Sequence, residues 1–558
     1  LSQCCTPLME NTVMVKRTKA ARTASKHSRT AKRTSPEATP SVASSGGPGT
    51  AALAFSSGVG PTRAKAKIRF YCQGIGDCHL LKFPKDGGGD FWMLIDCGIH
   101  SSIRGGTEKI KAIVDDIASV TKRLDVIVLT HEHWDHVSGF LLAESKFTDF
   151  EVGEVWMAWS ENPDDLQARQ LDKFKGGALT VLHQASQQLD QVTDLGPHLS
   201  AVQRGMQALL GFNFGAKGER VRSARDAAAR LAKRSDVKYL EPKSPPISPL
   251  GIAKSVRIYV LGPPRDAAML GLTERQSEMY GIGIAGGWPI ARALGNAFAI
   301  NKGTLLTGDD ATAPFDTPEG SDLSVVRSVK AASSTNKQVR AAAQFVHDFY
   351  DGPAERSLET KKRLQQHQAS DPNEVDQSWR RIDHDWLGVS ADLAMQLDDR
   401  TNNSSLVLAF EFLDTKRVML FVGDAQVGNW LSWQNVSWAN DDTTIADLLA
   451  RTIFYKVGHH GSQNATLKQA GLELMTSPDL SAFIPTNEKD ALKVKWGEMP
   501  FKTILEDLEK RTSQRVIRAD DPWIGQPASK PKFGVPSGAV LALQHDAKKG
   551  LWVELDIA

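Results

Sequence analysis

DVIVLTHEHWDHVSGF, residues 125–140, decides how this chain is read. Val126, Ile127, Val128 and Leu129 form a continuous apolar run, the pattern of a strand covered on both faces. Five polar residues of metal-ligand type follow within six positions: His131, Glu132, His133, Asp135 and His136. Imidazole and carboxylate together suit zinc, manganese or iron. A buried strand ending in such a cluster puts it at a sheet's carboxyl edge, where α/β proteins place their sites. His131 and His133, two apart, can face one metal from an extended turn. Asp135 and His136 come one turn later and can face a second. Gly139 fits a tight start to the next helix. A lone histidine here would read as part of a polar loop capping a strand. Three histidines and an aspartate at HxHxDH spacing argue against that plainer reading.

The turn resembles the signature of the metallo-β-lactamase fold superfamily. Upstream, residues 67–72 alternate as a strand, Gln73-Gly-Ile-Gly-Asp77 turns, and residues 79–83 form a second strand. Gly87-Gly-Gly89 turns the chain back into a third strand ending in Asp96-Cys-Gly98. This opening resembles hydrolase domains of the ComEC type, found in competence DNA-uptake channels. The helix expected over 107–120 buries Ile110, Ile113, Val114 and Ile117 at i, i+3, i+4, i+7.

Two further motifs follow in order. An apolar strand ends in Gly423-Asp424-Ala425, putting a carboxylate at the same sheet edge. A carboxylate bridges two cations more readily than an imidazole does. Residues 453–457 form the next strand, ending in Gly458-His-His-Gly-Ser462, which resembles the last metal motif of ComEC-type hydrolases. One of His459 and His460 completes a metal shell, and the other donates a proton or contacts substrate. Sequence does not separate the roles, and we lean to His459 as ligand and His460 as catalytic. Ser462 bonds a substrate oxygen or caps the next helix. Many superfamily members carry another histidine ligand before the bridging aspartate. Here His183, His198, His347, His367 and His384 fall in that interval, none at a convincing strand end. Thr304-Leu-Leu-Thr-Gly-Asp-Asp310 mimics the GDA strand but lacks a following HHGS, so Asp309 reads as a turn residue.

The chain has 558 residues, 41% of them hydrophobic, and a net charge of +2, so charge alone does not announce nucleic-acid binding. No apolar run suits a membrane span and no secretory h-region is visible. Five cysteines (Cys4, Cys5, Cys72, Cys78 and Cys97), none in a CxxC pair, fit a reduced, cytoplasmic setting. Residues 1–64 read as a disordered tail, basic from Lys16 to Arg33. That half is a nucleic-acid-binding arm, a solvated tail, or leader ahead of Met14. Residues 65–558 form the hydrolase domain, interrupted by insertions at about 145–250 and 266–400. Lys495, Arg515 and Arg518 offer a basic rim beside the site.

The expected fold is therefore α/β: an αββα sandwich with a large helical insertion. The resemblance implies two divalent ions, zinc or manganese, held by His131, His133, Asp135, His136, Asp424 and His459. Asp135 and His460 are the catalytic candidates. The ComEC-type resemblance implies phosphodiester cleavage, hence a nuclease or cyclic-nucleotide-type phosphodiesterase with nucleic acid as substrate. A hydrolase of small esters, lactones or amides is the alternative, favoured by a narrow apolar pocket. A catalytically inactive binding protein is the third reading.

Overall fold

The computed structural model describes residues 50–54, 63–192, 197–212, 219–272, 333–349, 389–494, 496–527 and 537–558, with positions 275, 279, 387, 529 and 531–534 between them. The basic segment 16–33, Gly281 to Gly287, Asp309, Lys361 to Arg381 and Lys495 lie outside the described residues.

Among the described residues the strands make two sheets. The first runs β1 (Thr50–Ala54), β14 (Val540–Asp546), β15 (Trp552–Ile557), β2 (Ala66–Tyr71), β3 (Cys78–Pro84), β4 (Asp90–Cys97), β5 (Arg123–Val128), β6 (Glu151–Ala158), β7 (Val237–Leu240). The second runs β13 (Val516–Arg518), β12 (Ser481–Ile484), β11 (Thr452–Lys456), β10 (Val418–Phe421), β9 (Val407–Phe412), β8 (Val256–Gly262). β4, β5 and β6 are parallel, as are β10, β11 and β12, so their carboxyl ends share an edge in each sheet.

The two-residue period of a strand divides its side chains between two cores. Ile68 and Phe70 of β2, Met93 and Ile95 of β4, and Val126 and Val128 of β5 join Leu408, Phe410, Met419 and Phe421 in one cluster between the sheets. Phe70 stacks on Phe483 across that interface, with ring centroids 4.2 Å apart. The alternate residues Tyr71, Leu94 and Ile127 face the other way, against Ile110, Ile113, Val114 and Ile117 of the helix Gly106–Val120. Val407, Ala409, Val418 and Leu420 likewise meet Trp430, Leu448, Ile504 and Leu508 outside the second sheet. Helix, sheet, sheet, helix is the αββα order, and it explains why the DVIV run is apolar on both faces.

The structure departs from the sequence reading in two elements. Thr50–Ala54 pairs antiparallel with β14, so the segment expected to be structureless through residue 64 contributes an edge strand. The insertion at about 145–250, read as helical, forms the helices Leu166–Gln191, Pro197–Phe212 and Glu219–Ala229 but also strand β7. β7 is only partly buried, so it lacks the apolar run that would mark it. Cys72, Cys78 and Cys97 are buried free thiols. Among the described residues no helix is long and apolar enough to cross a membrane.

Candidate metal centre

Five strand termini converge on one edge. β5 runs into Thr130–His136, β4 ends beside Asp96, β3 begins after Asp77, β10 leads to Gly423-Asp424, and β11 leads to His459-His460. The fit is close enough to dictate glycines. A Cβ on Gly98 would lie 2.1 Å from the Asp135 carbonyl, and one on Gly139 would lie 2.5 Å from Cys97 Sγ. Gly139 therefore serves helix-to-strand contact within Trp134–Leu142 and not the helix start. His459 and His460 take φ of +42° and +53°, left-handed values that cost non-glycine residues on the order of 1 kcal/mol or more each. The reward is that adjacent side chains diverge into different surroundings.

His131, His136 and His460 each have one ring nitrogen held by the fold and the other directed inward. His136 Nδ1 lies 2.9 Å from Asp96 Oδ2, while its Nε2, buried and without a hydrogen bond, faces Asp424 Oδ2 at 3.1 Å. His460 Nδ1 donates to the Pro485 carbonyl at 2.6 Å, and its Nε2 lies 3.0 Å from Asp135 Oδ2. His131 Nδ1 sits 3.1 Å from Thr130 Oγ1, and its Nε2 faces His133 Nδ1 at 3.0 Å. Among the described residues three sets of ligand atoms lie close enough to hold an ion, and two of them are His131, His136 and Asp424, and Asp135, Asp424 and His460. Asp424 belongs to both.

Asp77, Asp96 and His136 form a third such group, and Lys456 stands against it. The Lys456 ammonium, 1% exposed, pairs with Asp77, lies 3.5 Å from Asp424 and donates to the Gly423 carbonyl at 2.9 Å. Sequence reasoning passed over Asp77, Asp96 and Lys456. Alternation along β11 held the signal for the lysine, since Lys456 shares the inward face with Phe454.

Among the described residues this buried pocket holds four carboxylates (Asp77, Asp96, Asp135, Asp424) against one ammonium. Burial pushes Asp135 up, but His136 and His460 outweigh it and hold it well below the ordinary range. Burial likewise pushes Asp77 up, but Lys456 and His136 outweigh it and bring it down to about 2. His131 and His133 are driven down, by burial first and then by neighbouring imidazoles, His133 to about 3 although Asp135 pulls it up. These two are neutral near pH 7, the form that binds metal. His136 and His460 are raised against the effect of burial, His136 by Asp424 and Asp77, His460 by Asp135 and Asp424. Their protons supply positive charge where carboxylates are in surplus, and a divalent cation would replace them. The His136 nitrogen turned toward Asp424, the mixed N/O donors and the carboxylate surplus all fit such an ion.

Glu132, second in the HEHWDH turn, takes no part. Lys175 and Arg225 donate to it at 3.2 and 2.9 Å from the helical insertion. It is His460, and not the favoured His459, that comes within reach of Asp135 and Asp424. His459 instead has Ser462 Oγ and Gln426 Nε2 at Nδ1 (2.9 and 3.0 Å) and Asn402 Nδ2 at Nε2 (3.5 Å). Ser462 Oγ lies 2.9 Å from His459 Nδ1 and donates to Asn464 Oδ1 at 2.9 Å. Of the two described residues expected in the basic rim, Arg515 is buried against the Leu480 carbonyl, and Arg518 pairs with Glu488 and Asp520. His183 joins none of the ligand groups. The side chains of His198 and His347, and all of His367 and His384, lie outside the described residues.

The cluster opens into a cleft of about 220 Å³ reached by His133, Asp135, Asp424, His459 and His460. Met395, Asp398, Asp399, Trp496 and Met499 form its other walls, Trp496 stacked on His460 at 5.8 Å.

Residues 73–196 match the family described as the metallo-beta-lactamase superfamily, a stretch that contains the HxHxDH turn but neither Asp424 nor HHGS. No curated protein matches the chain.

Proposed function

We propose that this protein is a two-metal hydrolase that cleaves a phosphodiester, with zinc or manganese as the ions and nucleic acid as the substrate class. The observation that carries the reading is Asp424, one carboxylate within reach of two separate ligand groups. Bound divalent ions supply a water of lowered pKa and a clamp for attacking and leaving oxygens, which phosphodiesters need because their charge repels hydroxide. The chain's own residues do the rest. His131 and His133 present neutral imidazoles. Asp135, fixed by His460 Nε2 at 3.0 Å, would help hold the second ion and orient a water beside it. His460, anchored to the Pro485 carbonyl, joins Asp135 as ligand, and Trp496 excludes water from its ring face. The cleft is small beside ligand cavities of about 300–1,000 Å³, which favours a strand end or a single nucleotide over an intact duplex. The ComEC-type motif order supports the same choice.

One observation favours the second reading, hydrolysis of a small ester, lactone or amide. The described lining of the cleft contains methionines and a tryptophan but no lysine or arginine to meet phosphate. The test is a metal-supplemented screen against single-stranded DNA, duplex DNA, RNA, a bis-aryl phosphodiester and a lactone. Cleavage of nucleic acid or the phosphodiester, lost by about 10³-fold in Asp135→Ala, is the expected result, a cost of about 4 kcal/mol in the barrier. Lactone opening with every phosphodiester untouched replaces it with the second reading.

A further inference from the structure

The helix Val389–Asn403 closes the 266–400 insertion, and its two faces have different duties. Leu393, Ala394 and Leu397 are buried with Leu179 and Leu182 of the helix Leu166–Gln191. Met395, Asp398, Asp399 and Asn402, spaced i, i+3, i+4, i+7, form the opposite stripe. The first three of these line the cleft. Asp398 Oδ1 lies 3.6 Å from His133 Nε2, and Asn402 Nδ2 lies 3.4 Å from Asp398 Oδ2 and 3.5 Å from His459 Nε2. One helix therefore reaches both histidine motifs.

His133 is the histidine whose orientation this explains. His131, His136 and His460 have their outer nitrogens fixed by Thr130, Asp96 and Pro485, all next to the strand ends of the two sheets. His133 turns Nδ1 toward His131 and faces Asp398 Oδ1 with Nε2 at 3.6 Å, ion-pair range but longer than a hydrogen bond. Ligating imidazoles characteristically donate their second N–H to a carboxylate, which fixes tautomer and ring plane. We infer that Asp398 is a positioning residue for His133, which stands beside the His131, His136 and Asp424 group with its Nδ1 3.0 Å from His131 Nε2, so that the insertion helix tunes the affinity of the ion held there. The inference rests on the metal reading proposed above. It gives the insertion a role in the centre: loosening the helix weakens that ion, and binding the ion steadies the helix.

The test is Co2+ titration of the full chain, followed by visible absorption and by competition with a chromophoric chelator. Wild type, Asp398→Asn and Asp398→Ala are compared, with metal-free melting temperatures as the check on folding. Asp398→Ala is expected to weaken one of two Co2+ sites by about 10- to 100-fold and to alter its absorption bands. Asp398→Asn, of the same shape and still an acceptor, is expected to recover part of that loss. Both variants binding two ions with wild-type affinity and spectrum overturns the inference while the metal centre stands. Wild type binding no Co2+ overturns both. Should Asp398→Ala melt early, the isosteric Asp398→Asn decides by the same criteria.

Discussion

Glu132 and its chain neighbours His131 and His133 enter two different buried charge clusters. On one side Glu132 and Glu161 meet Lys175 and Arg225, two carboxylates against two cations at 2.9 to 3.6 Å. On the other, Asp77, Asp96, Asp135 and Asp424 meet one ammonium, Lys456, and the imidazoles of His136 and His460. Extended backbone sends alternate residues to opposite sides, so one turn feeds both. A buried charge is tolerated when paired, and the Glu132 quartet satisfies itself. The aspartate cluster does not, and its deficit is the physical argument for bound cations. The lesson is that charge balance separates a structural cluster from a functional one where residue type does not.

The largest expected effect belongs to the unbalanced cluster. Asp424→Asn removes the carboxylate common to both ligand groups, so turnover should fall by at least about 10³-fold. Full activity in that variant would break the comparison at its strongest point. Glu132→Gln should behave oppositely: it leaves Lys175 and Arg225 short of a partner and costs about 3 kcal/mol of stability, seen by denaturant unfolding. Its bound metal should not change, and metal loss there would mean the two clusters are one.

The pH dependence sharpens the contrast. Burial pushes Glu132 up, but Lys175 and Arg225 outweigh it and leave it at about 2. A carboxylate with a depressed folded pKa contributes stability that is full above its unfolded value of about 4.3 and lost as pH falls toward 2. Glu161, raised by burial and by Glu132, offsets part of this. Between pH 5 and 2, Glu132→Gln should therefore lose less stability than wild type, by up to about 3 kcal/mol. Parallel unfolding curves for the two proteins would contradict the assignment.

Much of this architecture and chemistry is legible in the chain itself. HxHxDH, GDA and VGHHGS are short, contiguous and placed at strand ends, where chain geometry forces ligands to one edge. Asp96 is half legible, since it ends a strand beside the DVIV strand. Asp77, Lys456 and Asp398 are single polar residues whose partners lie far along the chain, and no local pattern announces such pairings. The choice between His459 and His460 depends on two consecutive left-handed residues, which sequence does not reveal. Strand β1 is hidden for a different reason: TAALA carries little β propensity, and pairing with β14 overrides it.

That edge strand gives the smallest effect. A chain truncated before Thr50 keeps the β1–β14 pairing, and one truncated after Ala54 loses it. The second should melt a few degrees below the first, the cost of an uncovered edge worth on the order of 1 kcal/mol. Equal melting temperatures would show that β1 contributes nothing to the sheet, while both clusters would stand unaffected.

The central claim is that the unbalanced aspartate cluster holds cations, and elemental analysis of the purified chain tests it most directly. After reconstitution with zinc or manganese and gel filtration, wild type should retain about two ions per chain, Glu132→Gln the same, and Asp424→Asn fewer than about one. Less than about 0.2 ion per chain in reconstituted wild type, or undiminished metal in Asp424→Asn, would contradict it.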